Sequence, residues 1–502
     1  MRSFPLLLPV TLLFVLAPIA HGGSLVPADQ VVQLYVENDP TVSFRIQFAV
    51  GSQNDPAGKE GLAEITSSML SDASTTRNSY EQILDKLYPL AASYNASVAV
   101  EQTVFGGRVH KDNLQAYYPL FIDAILRPAF KQEDLDRIKS QTLNYLENIL
   151  RYSSDEELGK EVLYSSLFAG SGYGHPTEGL ISSVKSITLD DVRSFYRKYF
   201  TSGNVVIGLG GGYPKSLLDS LQKDLGMLPE GRPVVAPKPA PSPLHGFNVT
   251  IVEKDAQATA ISMGFPINVL RGEKDWYPLA VATSWLGEHR NSSSHLYQVI
   301  RETRGLNYGD YAYIENFPHS GSYTMPLQNV GRRQQIFEIW IRPVPNETRL
   351  FALRAALREF QHLVDHGMTQ SDFELTRGFL SKYILHYAET TSERLGYALD
   401  DRFYGVNGSH LDLYQKALQS MTLDDVNAAM RKHFQHGAMD IAIITKGAQA
   451  LKDAMVNGTP SPITYSTAKP ASVMEEDKHI EVFPIPVGAD NVRIIPVTEL
   501  FK

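Results

Sequence analysis

His362-Leu363-Val364-Asp365-His366 sets two imidazoles four residues apart, the spacing at which one helix face can offer two nitrogens to a metal. The segment stops against Gly367, a residue suited to a helix C-cap, and aspartate reaches less far than glutamate as a base. Metal chemistry is therefore not expected there, and the lone His386 in the next helical pattern reads as structural. Upstream, Glu60, Glu64, Ser67 and Ser68 recur at helical spacing among apolar residues. A serine hydroxyl does not ionise near neutral pH and is a poor zinc ligand, so these four read as the polar face of an amphipathic helix. Arg301 and Tyr308 lie seven residues apart and bring a fixed fork of N–H donors and a phenolic O–H. By residue type alone they read as a helix-capping arginine and a half-buried strand tyrosine. The chain has no cysteine, which excludes a thiol nucleophile and a disulfide framework.

The elements that must position these residues come in two copies. Thr188-Leu189-Asp190-Asp191-Val192 precedes Arg197-Lys198-Tyr199-Phe200, and Thr422-Leu423-Asp424-Asp425-Val426 precedes Arg431-Lys432-His433-Phe434, 234 residues later. In each copy a threonine N-cap has an acid three residues on, and the basic pair complements the helix dipole in the last turn. Gln132-Glu133-Asp134-Leu135 and Gln370-Ser371-Asp372-Phe373 open a second matched pair of helices at an offset of 238. Two echoes in one order and at nearly one offset indicate a duplication. The halves run from 23 to 230 and from 247 to 460, joined by a proline-rich linker over 231–246. Beyond 460 the chain reads as an irregular tail with one strand-like piece, Val492-Arg493-Ile494-Ile495. Strand patterns such as Ser43–Phe48 and Val249–Val252 mix with long helical ones without strict alternation, which predicts an α+β fold.

Composition narrows the partners. The chain has 502 residues, 43% hydrophobic and 20% charged, with a net charge of −9 and no basic run. Nucleic acid and anionic membrane surfaces are therefore not expected as partners. Residues 1–22 read as a signal peptide, with Arg2 as the positive region, Leu6–Ile19 as the apolar core and small residues at Ala20 and Gly22 before the cut. No later apolar run is long enough to span a bilayer. Export without disulfides suits a bacterial periplasm.

Gly51-Ser52, Gly58-Lys59-Glu60-Gly61-Leu62-Ala63 and Met69-Leu70 resemble the opening of the insulinase/pitrilysin metallopeptidase family. In that family Gly-Leu-Ala leads into His-x-x-Glu-His, two zinc-binding histidines around a glutamate base. Here the matching residues are Glu64, Ser67 and Ser68, and Asn148, with Glu147 beside it, stands where the third ligand is expected. The resemblance continues through Arg127-Pro128-Ala129-Phe130, Tyr173-Gly174-His175-Pro176 and Leu209-Gly210-Gly211, the last at the family's strand-to-helix turn, with His175 structural. Ile300-Arg301-Glu302-Thr303-Arg304-Gly305-Leu306-Asn307-Tyr308 is similar to the segment carrying the family's paired arginine and tyrosine. The resemblance implies that Arg301 grips substrate carbonyls and Tyr308 donates to the oxyanion of the tetrahedral intermediate. It also implies two homologous two-layer α/β sandwiches with mixed or antiparallel sheets in a clam-like arrangement around an unfolded peptide. The expected role is a catalytically incomplete subunit, without a metal of its own, paired with a homologous zinc-bearing peptidase subunit. The alternative is a non-enzymatic peptide-binding or scaffold protein of the same fold.

Overall fold

A computed structural model describes residues 25–235, 237–288, 292–317 and 325–502. The signal peptide expected at residues 1–22 lies outside the described residues. The first half forms a five-stranded sheet from β1 (Val31–Tyr35), β2 (Thr41–Phe48), β3 (Ser93–Val98), β4 (Thr103–His110) and β5 (Val205–Gly211). The strand order is β1-β5-β2-β4-β3, and only β1 and β5 run parallel. Along β2, Val42, Phe44, Ile46 and Phe48 point to one face and are buried under the half's own helices. Phe44 packs 4.8 Å from Phe121 of the helix Leu114–Leu126. Gly210 and Gly211 belong to β5 itself rather than to a turn leaving it.

The second half repeats this wiring. Its strands are β6 (Phe247–Glu253), β7 (Ala258–Ile267), β8 (Asp310–Tyr313), β9 (Gln335–Pro345) and β10 (Met439–Thr445), in the order β6-β10-β7-β9-β8, with β6 and β10 the parallel pair. The two threonine boxes cap equivalent helices, Leu189–Tyr199 and Leu423–His433, with reciprocal hydrogen bonds to Asp191 and Asp425. The two-half α+β architecture expected from the sequence is thus the one found. Beyond residue 460 the chain is more regular than its sequence suggests. It forms the helix Ala471–Ile480, and β11 (Val492–Pro496) adds to β6 in parallel as the edge of a six-stranded sheet.

The halves interlock by exchanging a helix. Asp155–Leu167 from the first half packs on β7 and β10, and Thr391–Tyr404 from the second half packs on β5, β1 and β2. These helices start 236 residues apart, so they are the same element in the two copies. Gly208 and Gly210 of β5 allow the close approach: a Cβ on Gly208 would stand 3.0 Å from Leu399, and one on Gly210 3.3 Å from Thr391. Polar contacts fix the crossings. Ser166 Oγ donates to Asp440 at 2.7 Å, Tyr164 OH to Glu338 at 2.9 Å, and Thr391 Oγ1 to Asp39 at 2.6 Å.

Candidate functional site

The helix Leu62–Ser71 leaves Gly61, whose φ of +98° lies in the left-handed region that glycine adopts without strain. Asp55 caps it, accepting from Gly61 N–H and Ala63 N–H at 2.7 Å each. Glu178 is wedged beside this entry, for a Cβ on Gly61 would meet its carbonyl oxygen at 2.4 Å. Ser67 is 1% exposed, so it does not lie on a solvated face, and its hydroxyl donates back to Ala63 O at 2.8 Å. Ser68 donates to Glu64 Oε1 at 3.2 Å. The expected polar face is therefore only partly solvated: Ser67 is buried, and Glu60, Glu64 and Ser68 are half-buried.

Burial dominates the electrostatics here. It pushes the half-buried Glu64 carboxyl up to about 8, with a smaller push from the charge of Glu178. Burial, then the charge of Glu161, raises Glu178 to about 7. The structure does not bring Asn148 to these carboxyls. It is exposed and donates to Asn144 Oδ1 at 2.9 Å, and Glu147 pairs with Lys185 at 2.9 Å. The side chain of this segment that feels Glu178 and Glu161 is Tyr145, whose phenol is raised first by burial. Residues Tyr145–Leu150 are π-wound, which turns the following side chains away from the register of a regular α-helix.

Zinc does not fit this donor set. The set has one carboxyl and two serine hydroxyls, which are poor zinc ligands and are both spent within the helix. Among the described residues, no group of three or more His, Asp or Glu side chains gathers as a metal would need.

A pH prediction follows from Glu64. Its folded value of about 8 lies above the roughly 4.3 of an unfolded glutamate, so the folded state holds more protons between those limits. Stability from this group is greatest near pH 4 and falls as the pH rises through about 8. Glu64→Gln should match the wild type near pH 4 and exceed it at pH 8 by about 1–3 kcal/mol in urea unfolding. Equal stability at pH 8 would show that Glu64 reaches solvent.

The second candidate pair lies in the other half. Arg301 sits in the π-turn Tyr297–Glu302, anchored by the fully buried Leu296 and Ile300. Gly305, at φ +71°, ends the turn by donating to Arg301 O at 2.7 Å. The chain then returns so that the Arg301 guanidinium stands 5.9 Å from the Tyr308 ring centroid. Arg301 Nε is buried with no hydrogen-bond partner among the described residues, which does not suit a helix-capping role. Tyr308 is 80% exposed on a loop tip and is not a half-buried strand residue. Its neighbours hold the loop from below. Asn307 Nδ2 donates to Asp310 Oδ1 at 2.8 Å and to the carbonyls of Gly309 and Arg342, both at 3.3 Å. Asp310 is fully buried, and burial holds its carboxyl well above the ordinary range. Sequence reasoning missed this prop, although an Asn and an Asp flanking a glycine next to Tyr308 could have signalled a pinned turn.

The other histidines singled out in the sequence make local contacts. His362 and His366 stack at 4.3 Å at the exposed end of Arg349–His366, and Asp365 is taken by His436 at 2.9 Å. His386 pairs with Glu389 at 2.6 Å, and His175 Nδ1 lies 2.8 Å from Pro176 O.

Two models of one family match the chain in succession. Residues 30–179 match the insulinase (peptidase family M16) domain and residues 186–379 the peptidase M16 inactive domain. The chain belongs to the M16 family of peptidases. An uncharacterized zinc protease of Mycobacterium tuberculosis is 24% identical over 406 residues, spanning 80% of this chain and 88% of its own. A peptidase M16 inactive domain from Pseudomonas fluorescens superposes with a TM-score of 0.72 at 23% identity, covering 83% of this chain and 95% of that one. A chain of complex III from Candida albicans aligns with a TM-score of 0.63 at 15% identity, over 82% and 93% of the two chains. These likenesses fix the fold. At the place of the family's zinc motif this M16 chain carries Glu64, Ser67 and Ser68, and no metal-binding cluster gathers among the described residues. Among the described residues no helix is long and apolar enough to cross a membrane.

Proposed function

We propose that this chain is the non-zinc subunit of a two-chain M16 peptidase, supplying peptide binding and oxyanion stabilisation to a composite site. The observation that carries this reading is the presentation of Tyr308. An exposed phenol beside a half-buried guanidinium, on a loop pinned by buried polar groups, is costly to maintain for packing alone. Arg301 would hold a peptide carbonyl, and Tyr308 O–H would donate to the oxygen that gains charge as the bond is attacked. The metal and the general base belong to a homologous partner carrying His-x-x-Glu-His, because the Glu64-Ser67-Ser68 helix here supports neither. The pair acts on unfolded peptide after export to the periplasm, as the first 22 residues suggest.

The second reading is a peptide-holding scaffold without a catalytic partner, favoured by the loss of every motif position on one helix. An affinity pull-down of the tagged chain from its native host, read by mass spectrometry, separates the two. A homologous chain with an intact motif at near one-to-one stoichiometry is the expected result, and the pair should then cleave peptides. Recovery of the chain alone, or only with itself, would overturn the composite site and leave the scaffold.

A further inference from the structure

The face of the first sheet opposite its own helices is only half covered. The exchanged helix Thr391–Tyr404 lies over β5, β1 and β2, and leaves β4 and β3 open. Strand register states what that open face presents. Ser43, Arg108 and Ser93 pair across one row, and Arg45, Gly106 and Asn95 across the next. Gly106 leaves a gap in the second row between an arginine and an amide. Above the gap, Gln328, Asn329 and Ser392 of the second half close one side, and the result is a cleft of about 620 Å³.

The charge of this cleft is one-sided. It is lined by Arg45 and Arg108 with hydroxyl and amide groups and by no carboxylate, in a chain whose net charge is −9. Arg45 makes its hydrogen bonds to neutral acceptors only, Asn329 Oδ1 at 2.7 Å and Ser392 O at 3.2 Å. Arg108 Nε donates to Thr41 Oγ1 at 3.2 Å. Among the described residues neither arginine is in an ion pair. Asp400 and Glu393 reach Arg45 only through space, and Asp39, which feels Arg108, has its oxygens taken by Thr41 and Thr391. Two lining residues, Ala91 and Asn329, hold left-handed backbone at φ +47° and +64°, a strain that clusters at ligand sites. A partly buried guanidinium without an anion is unfavourable, and a bidentate carboxylate satisfies it with both charge and geometry.

We infer that this cleft between the halves binds a carboxylate, supplied by an acidic side chain or the C-terminus of a bound peptide, with Arg45 and Arg108 as the anchors and Gly106 as the floor. The peptide source rests on the proposed function; the anion site itself does not.

Gly106 provides the test. A Cβ there meets only Asn95 Oδ1, at 3.7 Å, so Gly106→Leu fills the cleft without disturbing the fold, whereas a Cβ on Gly107 would strike Tyr117. Arg108→Gln removes an exposed charge and leaves Arg45 in its contacts with the second half. Succinate and inorganic phosphate are titrated calorimetrically into the full chain and both variants. Succinate should bind the wild type, lose binding in Gly106→Leu and weaken about tenfold or more in Arg108→Gln, with unchanged thermal unfolding. Phosphate binding as tightly as succinate would overturn the carboxylate assignment. Succinate binding that Gly106→Leu does not change, or no binding at all, would overturn the site. An uncharged extended peptide is titrated alongside. If it binds while succinate does not, the cleft fails and the peptide-binding reading stands; if succinate binds and the peptide does not, the reverse holds.

Discussion

Tyr308→Phe should lower the peptide turnover of the two-chain complex by about 10²–10³-fold while assembly and thermal stability stay unchanged. The size follows from what one preorganised donor contributes when charge develops on a substrate oxygen in a site shielded from water. The specificity of the effect follows from the fold. Tyr308 is 80% exposed, so removing its phenolic oxygen should cost little packing. The loop does not depend on it either, being held by Asn307 and the buried Asp310. Loss should therefore fall on kcat, with KM nearly constant. Arg301→Lys makes the complementary change: it keeps the charge but loses the fork, and should raise KM more than it lowers kcat. Steady-state kinetics of the purified pair checks both variants. Unchanged turnover in Tyr308→Phe would remove the oxyanion role.

Much of the fold was legible because it rests on local signals. The boxes at Thr188 and Thr422 cap their helices as read, and the alternation in Ser43–Phe48 is the buried face of β2. Duplication was legible because the copies keep one order. What stayed hidden depends on tertiary placement. Nothing in the periodicity of Asp155–Leu167 states that it covers the sheet of the other half. The family resemblance put Gly210 and Gly211 at a turn, whereas both lie in β5, where Gly210 lets the exchanged helix come close. The site divided in the same way. Loss of the zinc motif is a matter of residue identity and is plain in Glu64, Ser67 and Ser68. The burial of Ser67 depends on how its helix packs against β3 and the helices Gln132–Asn144 and Leu189–Tyr199, which are distant in sequence. Asn148 lies within the π-wound stretch Tyr145–Leu150, exposed and bonded to Asn144, a placement that residue spacing alone does not state.

Leu399→Ala should cost about 2–5 kcal/mol and lower the stability of both halves together. Leu399 is fully buried and sits on the exchanged helix, against the surface that Gly208 leaves bare on β5. Shortening it opens a cavity on the first half's sheet, although the residue belongs to the second half. If each half folded by itself, such a loss would split urea unfolding into two steps. With reciprocal helices, neither sheet keeps both faces covered once the other half opens, so one transition should remain and move to lower urea with the same slope. Gly208→Leu attacks the same contact from the other side. Its Cβ would meet Arg45 O at 2.8 Å and Leu399 at 3.0 Å, so overpacking should destabilise the chain as well. The double variant is informative. If the Leu399–Gly208 contact is the cause, the smaller residue at 399 makes room for the larger one at 208, and the double variant should be more stable than the summed losses predict. The same interlock bears on function. Arg45, which lines the carboxylate cleft, reaches the second half through Asn329 and Ser392, so the cleft's anchors keep their positions only while the exchanged helix stays seated. Leu399→Ala should thus weaken succinate binding although residue 399 lies outside the cleft. Succinate affinity unaffected by that cavity would show that the sheet face alone holds the anchors.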